Sequence, residues 1–238
     1  MLGYLWSLLR PLGLFAVLYV VFARFLRFGD AIPNYPIYLL LGIVIWTYFV
    51  EVTVSSVESI VGKGDLIRKL NFPKYIIVAA SSVSAFINLL INFLIIGVFM
   101  VVSDVDIFYS RLPFIGILLL ELFIFSLAIS FLLSSLYVRY RDIRYIWEVL
   151  IQAAFYATPI LYPLTLVPEL ASKFIMLNPM AQIIQDMRYI LVTQQTQTIS
   201  SVFASQAARL IPVSLVLVIA VASSVYFRNR SRYFAEEV

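Results

Sequence analysis

Residues 75–102 read YIIVAASSVSAFINLLINFLIIGVFMVV, a near-continuous apolar run with none of the period-2 alternation of a half-buried strand. At about 1.5 Å of rise per residue, a helix of that length exceeds the roughly 30 Å of hydrocarbon in a bilayer. Ser81, Ser84, Asn88 and Asn92 fall on one face of it, a pattern more of helix–helix packing than of a pathway. The rest of the chain has the same character: of 238 residues, 63% are hydrophobic and 13% charged, with a mean hydropathy of +0.99. Soluble domains hold about 45–50% apolar and about 25% charged residues. A globule of this size could not bury so much apolar side chain, which excludes a soluble enzyme, a nucleic-acid binder and a disordered tail.

Similar runs recur, and the sequence predicts an all-α integral membrane protein, a single domain over 1–238, with six spans near 5–26, 38–57, 75–102, 113–138, 145–162 and 210–227. Continuous rather than alternating apolarity favours helices over a barrel. The first run is too long for a signal-peptide core, contains Arg10 and has no cleavage site after it. It is read as a retained span with Pro11 near its start, after which a turn-prone 30–36 leads into the second. The fifth is marginal in length, stopped by Thr158-Pro159 and Tyr162-Pro163. Six spans put both termini on one side. Lys63, Arg68, Lys69, Lys74, Arg139, Arg141, Arg144, Arg228, Arg230 and Arg232 lie on that side, so the positive-inside rule places both termini in the cytoplasm.

Histidine and cysteine are absent. That removes His- or Cys-based nucleophilic catalysis, zinc sites of those ligands and disulfides. Nor is there a phosphate-binding Gly-x-x-x-x-Gly-Lys-Ser/Thr loop; Gly62-Lys63-Gly64-Asp65 lacks its frame. ATP-driven work would need another polypeptide.

Two connections look built. In 61–74, Gly62 and Gly64 interrupt the preceding helix, Asp65 suits an N-cap and Phe72-Pro73 ends a stub of about two turns. Leu66, Ile67 and Leu70 would lie on one side of it, Arg68, Lys69 and Asn71 on another. It reads either as a basic loop anchored on lipid phosphates or as a docking knob for a cytoplasmic partner. The outer segment 158–209 holds Asn178-Pro179, a helix-start signal. An amphipathic helix follows to Leu191, its polar face carrying Gln182, Gln185 and Asp186, at the outer interface or dipping into the protein. Residues 168–177 suggest a second short re-entrant helix, and 194–198 an exposed loop.

Glu51 and Glu58 share a face of the second span, Glu121 lies inside the fourth and Glu148 near the start of the fifth. A charge unpaired in lipid costs at least about 2.5–3.5 kcal/mol, so these acids face protein or water, as interhelical glue more than as a proton relay. Aromatic residues make up 16% of the chain. Phe15, Tyr19, Phe22, Trp46, Tyr48, Phe155 and Tyr156 fill the bundle core or face lipid, or else line a passage whose ring faces suit the C–H faces of sugars.

The ordered set 2–12 (LGYLWSLLRPL), 67–73 (IRKLNFP), 140–143 (YRDI), 155–163 (FYATPILYP), 178–180 (NPM) and 185–191 (QDMRYIL) resembles the membrane subunit of ABC-type exporters for polysaccharide and polyol phosphate, the O-antigen and teichoic-acid permeases. The resemblance implies that Asp65, Leu66, Ile67, Arg68, Lys69, Leu70 and Asn71 form the coupling helix that seats in a separate ATPase. It implies that the outer helices, with Asn178, Pro179, Gln185 and Arg188, gate the exit. It further implies a homodimer, two copies of an ATP-binding cassette ATPase carrying ATP and magnesium, no cofactor on this chain, and a lipid-linked glycan as cargo in the inner membrane. Family members carry an interface helix before the LGYLW-like stretch, which Met1 nearly abuts here. A permease for a drug or smaller lipid, an intramembrane enzyme built around Glu121 and an ion-coupled transporter are the rival readings.

Overall fold

A computed structural model describes residues 2–28, 32–69, 72–105 and 111–237, side chains excepted at 2–8, 10, 235 and 236. Every regular element among them is helical. In chain order, α1 spans Leu2–Tyr19 and widens into a π-turn at Val20–Phe25. Then come α2 (Tyr35–Val57), the stub α3 (Gly64–Lys69), α4 (Tyr75–Val102), α5 (Leu112–Arg139) and α6 (Ile143–Ala157). The short helices α7 (Glu169–Met176), α8 (Pro179–Leu191) and α9 (Ile199–Val202) precede the last long one, α10 (Leu210–Arg230), and the short α11 (Phe234–Glu237) follows it.

Among the described residues, four helices are long and apolar enough to cross a membrane: α2, α4, α5 and α10 with the turn that leads into it. The other two expected spans are shorter. The apolar part of the first is Pro11–Phe25, and α6 has 15 residues, about 22 Å of helix. The fifth run therefore ends at Ala157, short of the expected 162, because Thr158 turns extended and Pro159 follows. Pro11 sits in the interior of α1, not near its start, since the helix begins at Leu2. Proline is tolerated there as it is in other membrane helices, where neighbouring groups meet the freed carbonyl. Of the 30–36 turn, Ile32–Asn34 is irregular, with Asn34 left-handed (φ 54°) ahead of α2, while residues 30 and 31 lie outside the described residues.

α2 is the axis of the bundle. Its spanning window is 78% buried, against 22–39% for the other three, because α1, α4, α5, α6 and α8 all pack on it. α10 lies against the far side of α5. The outward faces of α4 and α10 expose Leu94, Val98, Val102, Leu217, Val218 and Val221, the rows that meet lipid once the chain is in a membrane.

Candidate functional site

α8 is the best-buried short element, with residues 179–188 all shielded. Its start follows from local chemistry: Asn178 takes the Met180 N–H on its side-chain oxygen at 3.0 Å, and Pro179 occupies the first turn. The amphipathic reading places the helix, and of its two expected settings the burial of Gln182, Gln185 and Asp186 selects the inner one. The helix dips into the protein.

Arg188 explains why it stays there. Its side chain is fully buried (0% exposed), and each nitrogen donates to a backbone carbonyl: Nε to Tyr38 at 3.0 Å, Nη1 to Pro159 at 2.6 Å and Nη2 to Ile160 at 2.7 Å. The guanidinium also lies 3.5 Å from the centroid of the Tyr38 ring, a desolvated cation–π contact. One planar fork thus joins α8, α2 and the chain break after α6. Burial lowers the Arg188 pKa from its ordinary value, with Tyr38 and Tyr35 acting against it. Tyr35 donates its hydroxyl to the Leu161 carbonyl at 2.8 Å, and Tyr38 makes a long contact of 3.5 Å to Gln185 Oε1. Of the four residues expected at the outer gate, Arg188, Gln185 and Pro179 lie in this buried cluster, and Asn178 is exposed beside it.

α6 also packs along α2. Arg144 Nη1 pairs with Glu58, Arg144 Nε reaches Glu148 at 3.1 Å, and the Tyr137 hydroxyl donates to Glu58 at 3.3 Å. One turn on, Trp147 Nε1 donates to Thr53 Oγ1 at 3.2 Å. Further along, Phe155 meets Trp46 with ring centroids 5.9 Å apart. These positions form one seam, while Tyr145, Ile146, Val149, Leu150 and Tyr156 on the other face of α6 are exposed. Among the aromatics expected to line a passage, Trp46 and Tyr48 are packed inside the chain, Tyr48 against Phe86. Phe15 stacks on Tyr19 at 5.6 Å, Phe22 touches Phe28, Phe155 is half-buried and Tyr156 is exposed.

At the far end of the bundle from Arg188, α3 begins at Gly64, so Asp65 lies inside its first turn and is not its cap. The carboxylate still sits where the helix dipole favours it, with Arg68 and Lys69 in the last turn. The expected apolar side is narrower than Leu66, Ile67 and Leu70: Ile67 is buried, Leu66 is 42% exposed, and Leu70 and Asn71 lie outside the described residues. Asp65, Arg68 and Lys69 are exposed.

Sequence reasoning missed what holds α3. Ile67 packs in a cluster with Ile60, Ile77, Val78, Val138, Phe227 and Phe234. Phe234 on α11 is fully buried, its ring 5.4 Å from that of Phe227, and Lys74 Nζ donates to the Ser231 carbonyl. The signal was present as Tyr233-Phe234, an aromatic pair straight after a basic run. As for the membrane-embedded acids, Glu51 accepts from Asn88 Nδ2 at 3.2 Å, bonding the second and third runs. Glu121 is buried near Gln182 and Asp186. Among the described residues, no group of three or more Asp or Glu is placed to hold a metal.

With this geometry in view, the comparisons are consistent along the chain. The family model described as ABC-2 type transporter matches residues 1–192. The chain is similar to an O-antigen export system permease protein, RfbA, of Klebsiella pneumoniae, 31% identical over 188 residues, which cover 79% of this chain and 72% of that protein. It is similar also to the O-antigen export system permease protein RfbA of Myxococcus xanthus, 28% identical over 244 residues, 100% of this chain and 88% of that protein.

Proposed function

The chain belongs to the ABC-2 type transporter family, and on that footing we propose that it is the membrane permease of an ATP-driven exporter that moves a lipid-linked polysaccharide of the O-antigen kind across the cytoplasmic membrane. It is a transport subunit and not an enzyme. The observation that carries this reading is similarity to an O-antigen export permease over the whole length of the chain.

The helical architecture supports the parts. Six crossings place α1 and α6 in the membrane as its shorter spans, with both termini in the cytoplasm beside α3. Basic residues crowd that end: Lys63, Arg68, Lys69, Lys74, Arg141, Arg144 and Arg228. α3 presents Asp65, Arg68 and Lys69 outward over a buried Ile67, the form of a knob that seats in an ATP-binding cassette ATPase. ATP and magnesium belong to that partner. α7 and α8 sit at the opposite end as the outer gate.

The exposed apolar face of α6 is what a second copy of the permease would meet. Two such faces would enclose a passage with Tyr156 and Phe155 at its wall, Phe155 being supported from behind by Trp46. Rings without fixed charge let a polymer pass without being held. The test is reconstitution of the purified permease with its ATPase in vesicles loaded with lipid-linked polymer. ATP-dependent appearance of the glycan on the far leaflet, lost without the ATPase, is the expected result. Export by the permease alone, or transport of small lipids with no action on the polymer, would overturn the reading.

A further inference from the structure

A cavity of about 450 Å³ opens between α5, α8 and α10 at the end of the bundle away from α3. Its floor is rich in unmatched acceptors. Glu121, Gln182 and Asp186 are each more than nine-tenths buried, and one oxygen on each, Glu121 Oε1, Gln182 Oε1 and Asp186 Oδ1, has no hydrogen-bond partner. The remaining Asp186 oxygen is taken by Gln182 Nε2 at 2.8 Å. A buried acceptor without a donor is costly, and three on one cavity floor call for a ligand that donates.

The rim differs in charge. Arg111 and Arg209 line the mouth. The ten residues from Arg111 to Glu121 span about 15 Å of helix, but the Arg111 guanidinium folds inward over the Tyr189 ring, 5.0 Å from its centroid. Tyr189 is the residue three after Asp186, so the cationic rim and acidic floor come within about one helical turn. Two acids and two arginines balance, which fits a ligand of both charges better than a bare cation. The wall is apolar: Phe114 and Ile117 line the cavity while also lying 54% and 61% exposed on the outer surface of α5. The cavity therefore communicates with the lipid-facing side of the bundle.

We propose that this cavity binds an aminophospholipid headgroup from the surrounding leaflet, its ammonium donating to Glu121, Gln182 and Asp186 and its phosphate held by Arg111 and Arg209. A primary ammonium offers three N–H donors to three waiting oxygens, and guanidinium groups match phosphate oxygens in geometry and charge. A quaternary choline has the charge without a donor, and a glycerol headgroup has hydroxyls without the positive charge. This inference rests on membrane insertion and not on the cargo proposed above.

The permease–ATPase complex would be purified in detergent and offered phosphatidylethanolamine, phosphatidylcholine and phosphatidylglycerol of matched chains at equal concentration, with bound lipid counted by native mass spectrometry. Phosphatidylethanolamine should be retained about tenfold over either competitor, and the double variant Glu121→Gln with Asp186→Asn should lose that preference. Should the variant not fold, the wild-type complex supplies the same answer. Stepwise N-methylation of the headgroup should lower retention at each step, since each methyl removes one donor. Equal retention of the three lipids, indifference to methylation, a preference unchanged in the variant, or occupation of the cavity by the glycan carrier would each overturn the proposal. None of these readouts involves export, so the cargo assignment stands or falls separately.

Discussion

A Cβ added at Gly42 would lie 2.5 Å from Nη2 of Arg188. The end of an arginine can normally swing aside, but this one is pinned by bonds to Tyr38, Pro159 and Ile160. Gly42→Ala therefore must break part of the fork or displace α2 from α8. The expected cost is about 1–3 kcal/mol, in the range of overpacked cores, read as a lowered midpoint of thermal unfolding in detergent. Arg188→Met, which leaves the three carbonyls without donors, should cost at least as much, about 3 kcal/mol. An unshifted midpoint in both variants would show that the fork does not hold the two helices together.

Much of this arrangement was legible in the sequence because it rests on local rules. The apolar runs of α2, α4, α5 and α10 are set by hydropathy alone, and the start of α8 by the Asn178 cap and Pro179. What hydropathy could not reveal was depth. The 182, 185 and 186 positions look like a solvent-facing stripe by period, yet they are buried because Arg188 on the same helix finds carbonyls 28 to 150 positions away in the chain. Non-local partners of that kind leave no periodic trace. Likewise α11 was missed since four residues carry too weak a pattern, and its meaning comes from Phe234 reaching the cluster behind Ile67.

The outward charges of α3 and its inward support separate two ways of losing coupling. Charge reversal, Arg68→Glu with Lys69→Glu, alters an exposed surface. It should leave membrane insertion and thermal stability unchanged while the ATPase no longer co-purifies. Co-purification and export at wild-type levels would remove the docking role.

Phe234→Ala acts from behind the same stub. Truncating a buried phenylalanine costs about 3–5 kcal/mol in a well-packed core, here confined to the cluster that joins α3, α11 and the ends of α4, α5 and α10. The expected outcome is a permease that still inserts but shows faster hydrogen exchange over 64–69 and weaker stimulation of its ATPase. Unchanged exchange in α3 would mean that α11 does not brace it.

Burial raises the Asp186 carboxyl above its ordinary value, while Gln182 and the Arg209 guanidinium pull it back. Glu121 on α5 faces it across the cavity. A raised acid in the folded state binds its proton more tightly than in the unfolded chain. Its stabilising contribution is therefore complete below the ordinary aspartate value of 3.8 and is lost as pH rises through the folded value. Compared with Asp186→Asn, which does not titrate, the wild-type protein should lose thermal stability over that window and run parallel to the variant above it. Parallel curves across the whole range would show the carboxyl to be unshifted. Added phosphatidylethanolamine should flatten the difference, since an ammonium partner offsets the burial.

The seam between α6 and α2 offers two contacts of different strength. Arg144 and Glu58 are each about half exposed, at 47% and 49% of their side chains. A pair wetted to that degree is screened by water and salt and contributes little. Trp147 is half-buried, packs its ring 6.2 Å from that of Phe49 and donates to Thr53. Its truncation removes apolar area and leaves the Thr53 hydroxyl without its donor, a loss on the order of 2 kcal/mol. Arg144→Ala should thus leave the unfolding midpoint nearly unchanged, any small loss fading as salt is added, whereas Trp147→Ala should lower it and loosen α6 from α2. If the order of the two effects were reversed, the ion pair would have to be shielded from solvent in the assembled transporter, and salt would then have little influence on the Arg144 variant's deficit.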